Sequence, residues 1–302
     1  MTTRVGFVGL GAIGKYMALS VARGRFPLIV YDIRPEPLAD LAAAGAEVAP
    51  SARDTAERSE VFVLMLLNHA QAEQVLVGDG ALGALRPGKT VVLMSTISPS
   101  QSRHLAGLVQ ASGAGYIESP VSGGYLRAAD GTLSLMVSGP EAAVAHCRPV
   151  LEAMGKYIYN AGPEPGQGQA LKMINQMLMG IHEVAASEAM VLATKVGIDP
   201  ELVYDLVCHG TGDSWAFRNR MDRLMARDFA CKGALEILHK DLGIVLAAAQ
   251  EAKSPLLLTP MAYQAYQAAM VAGLAREDDT AVAKVYEQLA GIEVHRRLVE
   301  GK

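Results

Sequence analysis

Along its first half the chain carries apolar residues in short unbroken runs, at Arg4–Val8, Leu28–Asp32, Val61–Met65, Thr90–Met94, Gly115–Glu118 and Thr132–Val137. Short apolar runs bounded by turn residues predict buried strands. Between them lie stretches with helical periodicity, at Lys15–Ala22, Pro35–Ala44 and Gln71–Val77. Ser98 and Pro99 predict the cap and first turn of a further helix reaching Ala111. Tyr157–Asn160 closes this half. Pro163, Pro165, Gly166 and Gly168 then punctuate a turn, and the strand signals stop. A helix through Lys172 is expected to run to about Val196, where Gly197 and Pro200 end it. Further helices are expected at Pro200–Cys208, Ala234–Ala252, Pro260–Leu274 and Thr280–Gly291, with a loop at His209–Trp215 and a solvated turn and cap at Glu277–Asp279. The pattern predicts an α/β N-terminal Rossmann domain over 1–163. An all-α C-terminal domain over 164–302 follows, joined to it by the long interdomain helix.

The first turn of this pattern carries specific chemistry. Strand, Gly9-Leu-Gly11-Ala12-Ile13-Gly14, helix, second strand and Asp32 follow one another in order, with Asp32 about 20 residues beyond the glycines. Gly9 allows the tight turn, Gly11 lets a pyrophosphate approach the backbone, and Gly14 lets helix and strand pack closely. The helix N-terminus offers N–H groups to the phosphates. NAD is the expected cofactor, because a carboxylate at Asp32 accepts from ribose hydroxyls and repels a 2′-phosphate. NADP stays open, since Arg34 could pair with that phosphate; a solvated loop charge or an adenine-stacking plane are its other readings. Ligands of open α/β sheets sit beyond the carboxyl ends of the strands. That rule puts Leu66, Leu67, Asn68 and Ser95–Thr96 near the cofactor, unless they are ordinary turn residues.

Two other stretches are candidates for substrate chemistry. Ser122-Gly123-Gly124 after a strand reads either as a nest for an anion such as a carboxylate, or as a plain glycine-rich hairpin. Lys172, Asn175, Gln176 and Met179 fall on one helix face. An acid/base lysine beside a substrate-anchoring amide is one reading; a solvated polar face is the other. Trp215, the single tryptophan, reads as core filling or as a pocket wall.

Composition narrows the classes. With 302 residues, 51% of them hydrophobic, the chain can fill about two cores. A net charge of −4 without a Lys/Arg run argues against nucleic acid. Cys147, Cys208 and Cys231 form no metal pair or disulfide framework, and His182, His209 and His239 are not spaced as metal ligands, so no metal is expected. A reducing cytoplasm fits. No signal peptide and no membrane span are read. The long apolar helices suggest a homodimer or homotetramer.

Together these residues resemble the 3-hydroxyacid (β-hydroxyacid) dehydrogenase family over nearly the whole chain. Its opening motif matches Gly9–Gly14. Its substrate motif matches Pro120-Val-Ser122-Gly123-Gly124 with Gly131-Thr-Leu133. Its catalytic motif matches Gly166-Gln-Gly168-Gln-Ala-Leu-Lys172-Met-Ile-Asn175, and its Lys-Asp-Leu matches Lys240-Asp-Leu242. Ile13 and Ser20-Val21 depart from the usual Met and Asn-Leu at packing positions. The resemblance implies that Lys172 is the general acid/base and that Asn175 and Ser122–Gly124 bind substrate. It also implies that Lys240 lies near nicotinamide and substrate carboxylate, and that Thr96 contacts the cofactor ribose. Asn68-His-Ala-Gln, Ser214–Arg220 and Lys240–Val245 are similar to the branch for four-carbon sugar acids such as threonate. Trp215, Asn219, Arg220 and His69 are then candidates for selectivity. The implied function is NAD-dependent hydride transfer from the hydroxyl carbon of a small hydroxy acid. The alternatives are an NADPH-dependent reductase of a semialdehyde or keto acid, an imine reductase on the same plan, and a non-catalytic dinucleotide-binding protein.

Overall fold

The computed structural model describes residues 3–296; Met1 and Thr2, which opened the stretch read as lacking a signal peptide, lie outside that range. The chain divides into two compact units, Met1–Lys172 and Met173–Lys302.

The first unit is built on a nine-stranded sheet of order β3-β2-β1-β4-β5-β6-β8-β7, with β9 added beside β8. Its strands are β1 Val5–Val8, β2 Leu28–Tyr31, β3 Glu47–Val48, β4 Val61–Leu64, β5 Thr90–Leu93, β6 Gly115–Glu118, β7 Val121–Ser122, β8 Leu133–Ser138 and β9 Gly155–Gly162. Strands β1 to β6 pair in parallel, and β8 runs antiparallel to β6 and β7. Every residue of β1, β4 and β5 is buried, which is why these strands are unbroken apolar runs rather than alternating ones. The period of two still sorts the side chains. Val61 and Val63 enter one core layer, while Phe62 and Leu64 enter the layer on the opposite face.

The helices of this unit are α1 Gly14–Arg23, α2 Glu36–Ala43, α3 Ala52–Arg58, α4 His69–Glu73, α5 Pro99–Ala111, α6 Gly124–Ala129 and α7 Glu141–Met154. α5 begins where Ser98 and Pro99 predict, closed by a capping box in which the Ser98 hydroxyl accepts from Gln101 N and the Gln101 amide oxygen accepts from Ser98 N. α4 is shorter than expected: it starts at the Asn68 cap and passes into a single π-turn over Gln74–Gly78. No element is expected from the sequence at Glu141–Met154. α7 nevertheless buries Val144, Cys147, Leu151 and Met154 as one stripe.

α8, Gln167–Lys195, is 29 residues long, and the division between the units falls inside it. The second unit continues with α9 Pro200–His209, α10 Asp222–Met225, α11 Leu235–Glu251, α12 Leu258–Val271 and α13 Ala283–Ala290. No strand longer than an isolated bridge occurs among its described residues. Its core has two parts. Val184, Leu235, Leu238, Leu242 and Tyr266 form one, and Met190, Val191, Phe217, Met221 and Leu224 the other.

The turn at Glu277–Asp279 corrects the expectation of a solvated segment. Asp278 does cap the next turn, accepting from Thr280 N, but Asp278 and Asp279 are buried. Arg223 pairs with Asp278 at 2.5 Å, and Arg220 pairs with Asp279 at 2.8 Å and with the fully buried Glu183 at 3.5 Å. Tyr266 donates its hydroxyl to Glu183 at 2.9 Å. Three carboxyl groups thus face two guanidinium groups away from water. Burial pushes Glu183 up to about 7 against the opposing pull of Arg220, and burial likewise raises Asp279, whereas Asp278 is held low by the Arg223 hydrogen bond despite its burial.

Candidate active site

The sheet order reverses between β1 and β4, so a crevice opens at their carboxyl ends, the place where open α/β sheets hold ligands. The glycine turn lies there. Gly9 has φ +96°, and a Cβ on it would sit 2.2 Å from Met65 O at the end of β4. A Cβ on Gly14 would lie 2.1 Å from Gly9 O, whereas one on Gly11 would meet no atom within 4 Å. The first and third glycines are therefore required by the fold. The second keeps a space clear in front of the backbone. α1 starts just beyond, after Ala12 and Ile13, with no side chain capping it; Lys15 N donates to Gly11 O at 3.1 Å, and the uncapped helix start favours an anion. These features fit a dinucleotide pyrophosphate.

Asp32 follows β2. Its Oδ2 accepts from Leu10 N at 2.6 Å, tying it to the glycine turn, and its Oδ1 accepts from Arg34 N at 2.9 Å and Arg34 Nε at 3.2 Å. Burial alone would raise this carboxyl group, but the Arg34 side chain and backbone outweigh it and hold Asp32 below the ordinary carboxylate value. Arg34 also donates to Leu10 O at 3.3 Å. It is therefore neither a loose loop charge nor a free arm.

The loops after β4 and β5 are joined by Leu66 N donating to Ser95 Oγ at 2.8 Å. Asn68 is the cap of α4, accepting from Gln71 N at 3.0 Å, and Leu67 is exposed. The loop carrying Thr96 is fixed to the start of α8. Gln169 donates to Ser95 O at 2.9 Å and accepts from Ile97 N at 3.1 Å. Lys172 follows one turn later on the same helix and is buried.

What holds this helix start is a residue the sequence does not single out. Glu118, at the end of β6, is fully buried; its Oε1 accepts from Ser138 Oγ at 2.8 Å, Gly166 N at 3.0 Å and Gln169 N at 3.0 Å, and its Oε2 accepts from Ser102 Oγ. Ser138 in turn accepts from Gly168 N at 3.1 Å. The orphan N–H groups of α8 are thus satisfied from β6 and β8 rather than by a local cap. Gly168 has to be glycine, since a Cβ would lie 2.3 Å from Met136 O. The only sequence signal for Glu118 is an acid ending an apolar strand.

Ser122-Gly123-Gly124 forms the turn from β7 into α6, with φ +135° at Gly123 and +67° at Gly124. Successive positive φ values turn the backbone sharply and leave Ser122 half-buried at the edge of the turn.

In the second unit a polar chain runs through Asn175, Gln176, Asp241 and Lys240. Asn175 donates to Gln176 at 2.9 Å, Gln176 donates to Asp241 Oδ2 at 2.7 Å, and Lys240 Nζ donates to Asp241 Oδ1 at 2.7 Å. Asp241 is buried, so the acid of the Lys-Asp-Leu motif orients the lysine before it. Trp215 is 57% exposed, which removes the core-filling reading. It lies over the Arg220 guanidinium at 5.4 Å. Arg220 is committed to Asp279 and Glu183, and Asn219 accepts from Arg220 at 2.6 Å. His69 begins α4, half-buried, with its ring beside that of His104.

Comparison with known proteins agrees with this architecture. Residues 4–162 match the family described as the NAD binding domain of 6-phosphogluconate dehydrogenase, and residues 166–286 match the NAD-binding family of NADP-dependent 3-hydroxyisobutyrate dehydrogenase. Fold and glycine turn thus define an NAD(P)-dependent dehydrogenase. An L-threonate dehydrogenase of Cupriavidus necator is 38% identical, over 95% of this chain and 97% of its own. A 2-(hydroxymethyl)glutarate dehydrogenase of Eubacterium barkeri is 36% identical, over 96% and 97%. The crystal structure of a 3-hydroxyisobutyrate dehydrogenase from Salmonella typhimurium superposes with a TM-score of 0.87 at 38% identity, covering 94% of this chain and 99% of that one. The chain belongs to the 3-hydroxyacid dehydrogenase family, in its L-threonate dehydrogenase-like branch.

Proposed function

We propose that the protein oxidises the hydroxyl carbon of a small hydroxy acid, in the first place a four-carbon sugar acid such as threonate, with NAD and with Lys172 as general acid/base. The observation that carries the proposal is the anchoring of Lys172. It is buried one turn into a helix whose start is bound by Glu118 to the sheet and by Gln169 to the Thr96 loop, beside the carboxyl ends of the strands. When bound, the nicotinamide supplies the hydride acceptor. Gly9, Gly11, Ala12, Ile13 and Gly14 receive the pyrophosphate, Asp32 the adenosine ribose, and Leu66–Asn68 and Thr96 the remaining part of the cofactor. Lys172 takes the hydroxyl proton during oxidation and returns it during reduction. Ser122, Gly123 and Gly124 bind the substrate carboxylate. Asn175, Lys240 and Trp215 contribute polar contacts and a wall, and Asp241 keeps Lys240 oriented.

NAD is favoured because Asp32 already holds both the glycine turn and Arg34, leaving a carboxylate where a 2′-phosphate would sit. Arg34 beside it supports the second reading, an NADPH-dependent reductase of a semialdehyde or keto acid. We also propose a cytoplasmic homodimer or homotetramer, supported by the free thiols and by the exposed Leu192, Leu202 and Leu206. Among the described residues no helix is long and apolar enough to cross a membrane.

The test is a screen for reduced nucleotide with threonate, erythronate, 3-hydroxyisobutyrate, glycerate and serine, each with NAD and with NADP. Turnover highest with a four-carbon acid and NAD is the expected result. Failure of every hydroxy acid with both nucleotides would overturn the proposal.

A further inference from the structure

We propose that His69, Glu73 and His104 form a binding site for a divalent first-row transition metal, with two imidazole nitrogens and one carboxylate oxygen as ligands. α4 sets His69 and Glu73 four residues apart, hence on one side of the helix. α5 brings His104 to the same place, with its Nε2 at 3.0 Å from Glu73 Oε1. One ligand atom from each of the three residues lies within 4.8 Å of the others. The two rings are tilted by 50° with centroids 5.9 Å apart, so they do not stack on each other. His69 Nε2 is closed off from solvent and has no hydrogen-bond partner among the described residues, an unfavourable state for a buried ring nitrogen that a bond to a metal at Nε2 would relieve.

The donor set selects the class of ion. Imidazole suits zinc, nickel, cobalt and copper, whereas magnesium and calcium take oxygen ligands. Metal–ligand bonds of about 2.0–2.2 Å bring the donors closer together than they stand here. The half-exposed His104 side chain can rotate to close that gap. Three protein ligands leave at least one position for water. α4 follows the Leu66–Asn68 loop directly, and α5 follows the Ser95–Ser98 loop. A bound ion would therefore clamp together two loops already joined by the Leu66–Ser95 hydrogen bond. The inference stands on these three side chains and does not depend on the substrate or on the role of Lys172.

The sequence expectation of no metal followed the cysteines and three other histidines. His69 and Glu73 become a site only when His104, from the next helix, joins them.

The test uses the full chain without an affinity tag, stripped with EDTA and titrated calorimetrically with ZnCl₂, with MgCl₂ as control. One zinc per chain, a Tm that rises with zinc and returns with EDTA, and no magnesium binding are expected. His104→Ala, His69→Ala and Glu73→Gln should each weaken zinc binding at least about tenfold, the scale of even indirect ligand perturbations. His104 is exposed and Glu73 is half-buried at the surface, so their variants should keep the metal-free Tm and circular dichroism of the parent. Absence of zinc binding, or an affinity unchanged in the His69→Ala/His104→Ala double variant, overturns the proposal.

Discussion

Replacing Glu118 by glutamine should both destabilise the first unit and slow turnover, because this one side chain fixes the origin of the helix that carries Lys172. Its Oε1 takes three donors, two of them backbone N–H groups at the start of α8, and its Oε2 takes the Ser102 hydroxyl. A glutamine carbonyl can keep the three bonds at Oε1 but without charge. Hydrogen bonds to charged groups are worth about 1.5–3 kcal/mol and neutral ones about 0.5–1.5, so the two backbone bonds lose roughly 2 kcal/mol together. Losing a negative charge at a helix N-terminus removes a further ~0.3–1 kcal/mol. The amide NH₂ then faces Ser102 Oγ, which must turn its own proton away towards Tyr116, its neighbour at 2.8 Å. A total of about 3 kcal/mol follows. Glu118→Ala should cost more, since it strands all four donors and opens a cavity. Urea unfolding followed by circular dichroism measures the stability, and initial rates at saturating nucleotide measure the function. A shift of the helix start by about 1 Å can cost on the order of 100-fold in rate, so kcat should fall well beyond any change in nucleotide affinity. Wild-type midpoint and wild-type kcat in Glu118→Gln would refute the anchoring argument.

Asp32→Ala removes the partner of Leu10 N and Arg34, and should move the NADP/NAD ratio of kcat/KM upward by about tenfold or more, ~1.4 kcal/mol; an unchanged ratio in initial-rate assays counts against the role given to Asp32. Gly14→Ala puts a methyl group 2.1 Å from Gly9 O, so nucleotide binding followed by NADH fluorescence should be lost, and normal affinity would mean the turn can relax. Glu183 is raised from its ordinary 4.5 to about 7, chiefly by burial, so its contribution to stability is complete below pH 4.5 and is lost as pH rises through about 7. Glu183→Gln cannot ionise and should therefore gain on wild type across that window, by on the order of 1–3 kcal/mol at pH 8. A stability difference that stays flat between pH 4.5 and 8 in urea titrations would contradict the buried-charge argument.

The dinucleotide half was legible because its strands are buried on both faces and so read as apolar runs, and because the Gly9–Gly14 spacing and Asp32 follow one another within a single strand–helix–strand unit. α5 was legible to the residue because Ser98, Pro99 and Gln101 act within one turn. α8 was visible from Gly166 to Gly197 for the same reason. What escaped depends on distant partners. Glu118 means nothing until Gly166, 48 positions on, is brought back to it. Asp278 and Asp279 read as a surface turn because their partners Glu183, Arg220 and Arg223 belong to other helices. Arg220, a selectivity candidate by the resemblance to the four-carbon sugar-acid branch, pairs with Asp279 and Glu183 in that cluster. α7 escaped although Val144, Cys147, Leu151 and Met154 recur at helical spacing, with Pro149 inside the helix.

The central assignment, Lys172 as proton carrier, is tested most directly by Lys172→Ala, assayed for reduced-nucleotide formation with the best substrate of the screen, alongside NAD binding by calorimetry. General acid/base groups contribute about 10²–10⁴ in rate. The variant should therefore lose turnover by that factor while binding NAD within about twofold of wild type, a difference under ~0.5 kcal/mol. A variant that keeps turnover within tenfold of wild type would show that the proton travels by another group.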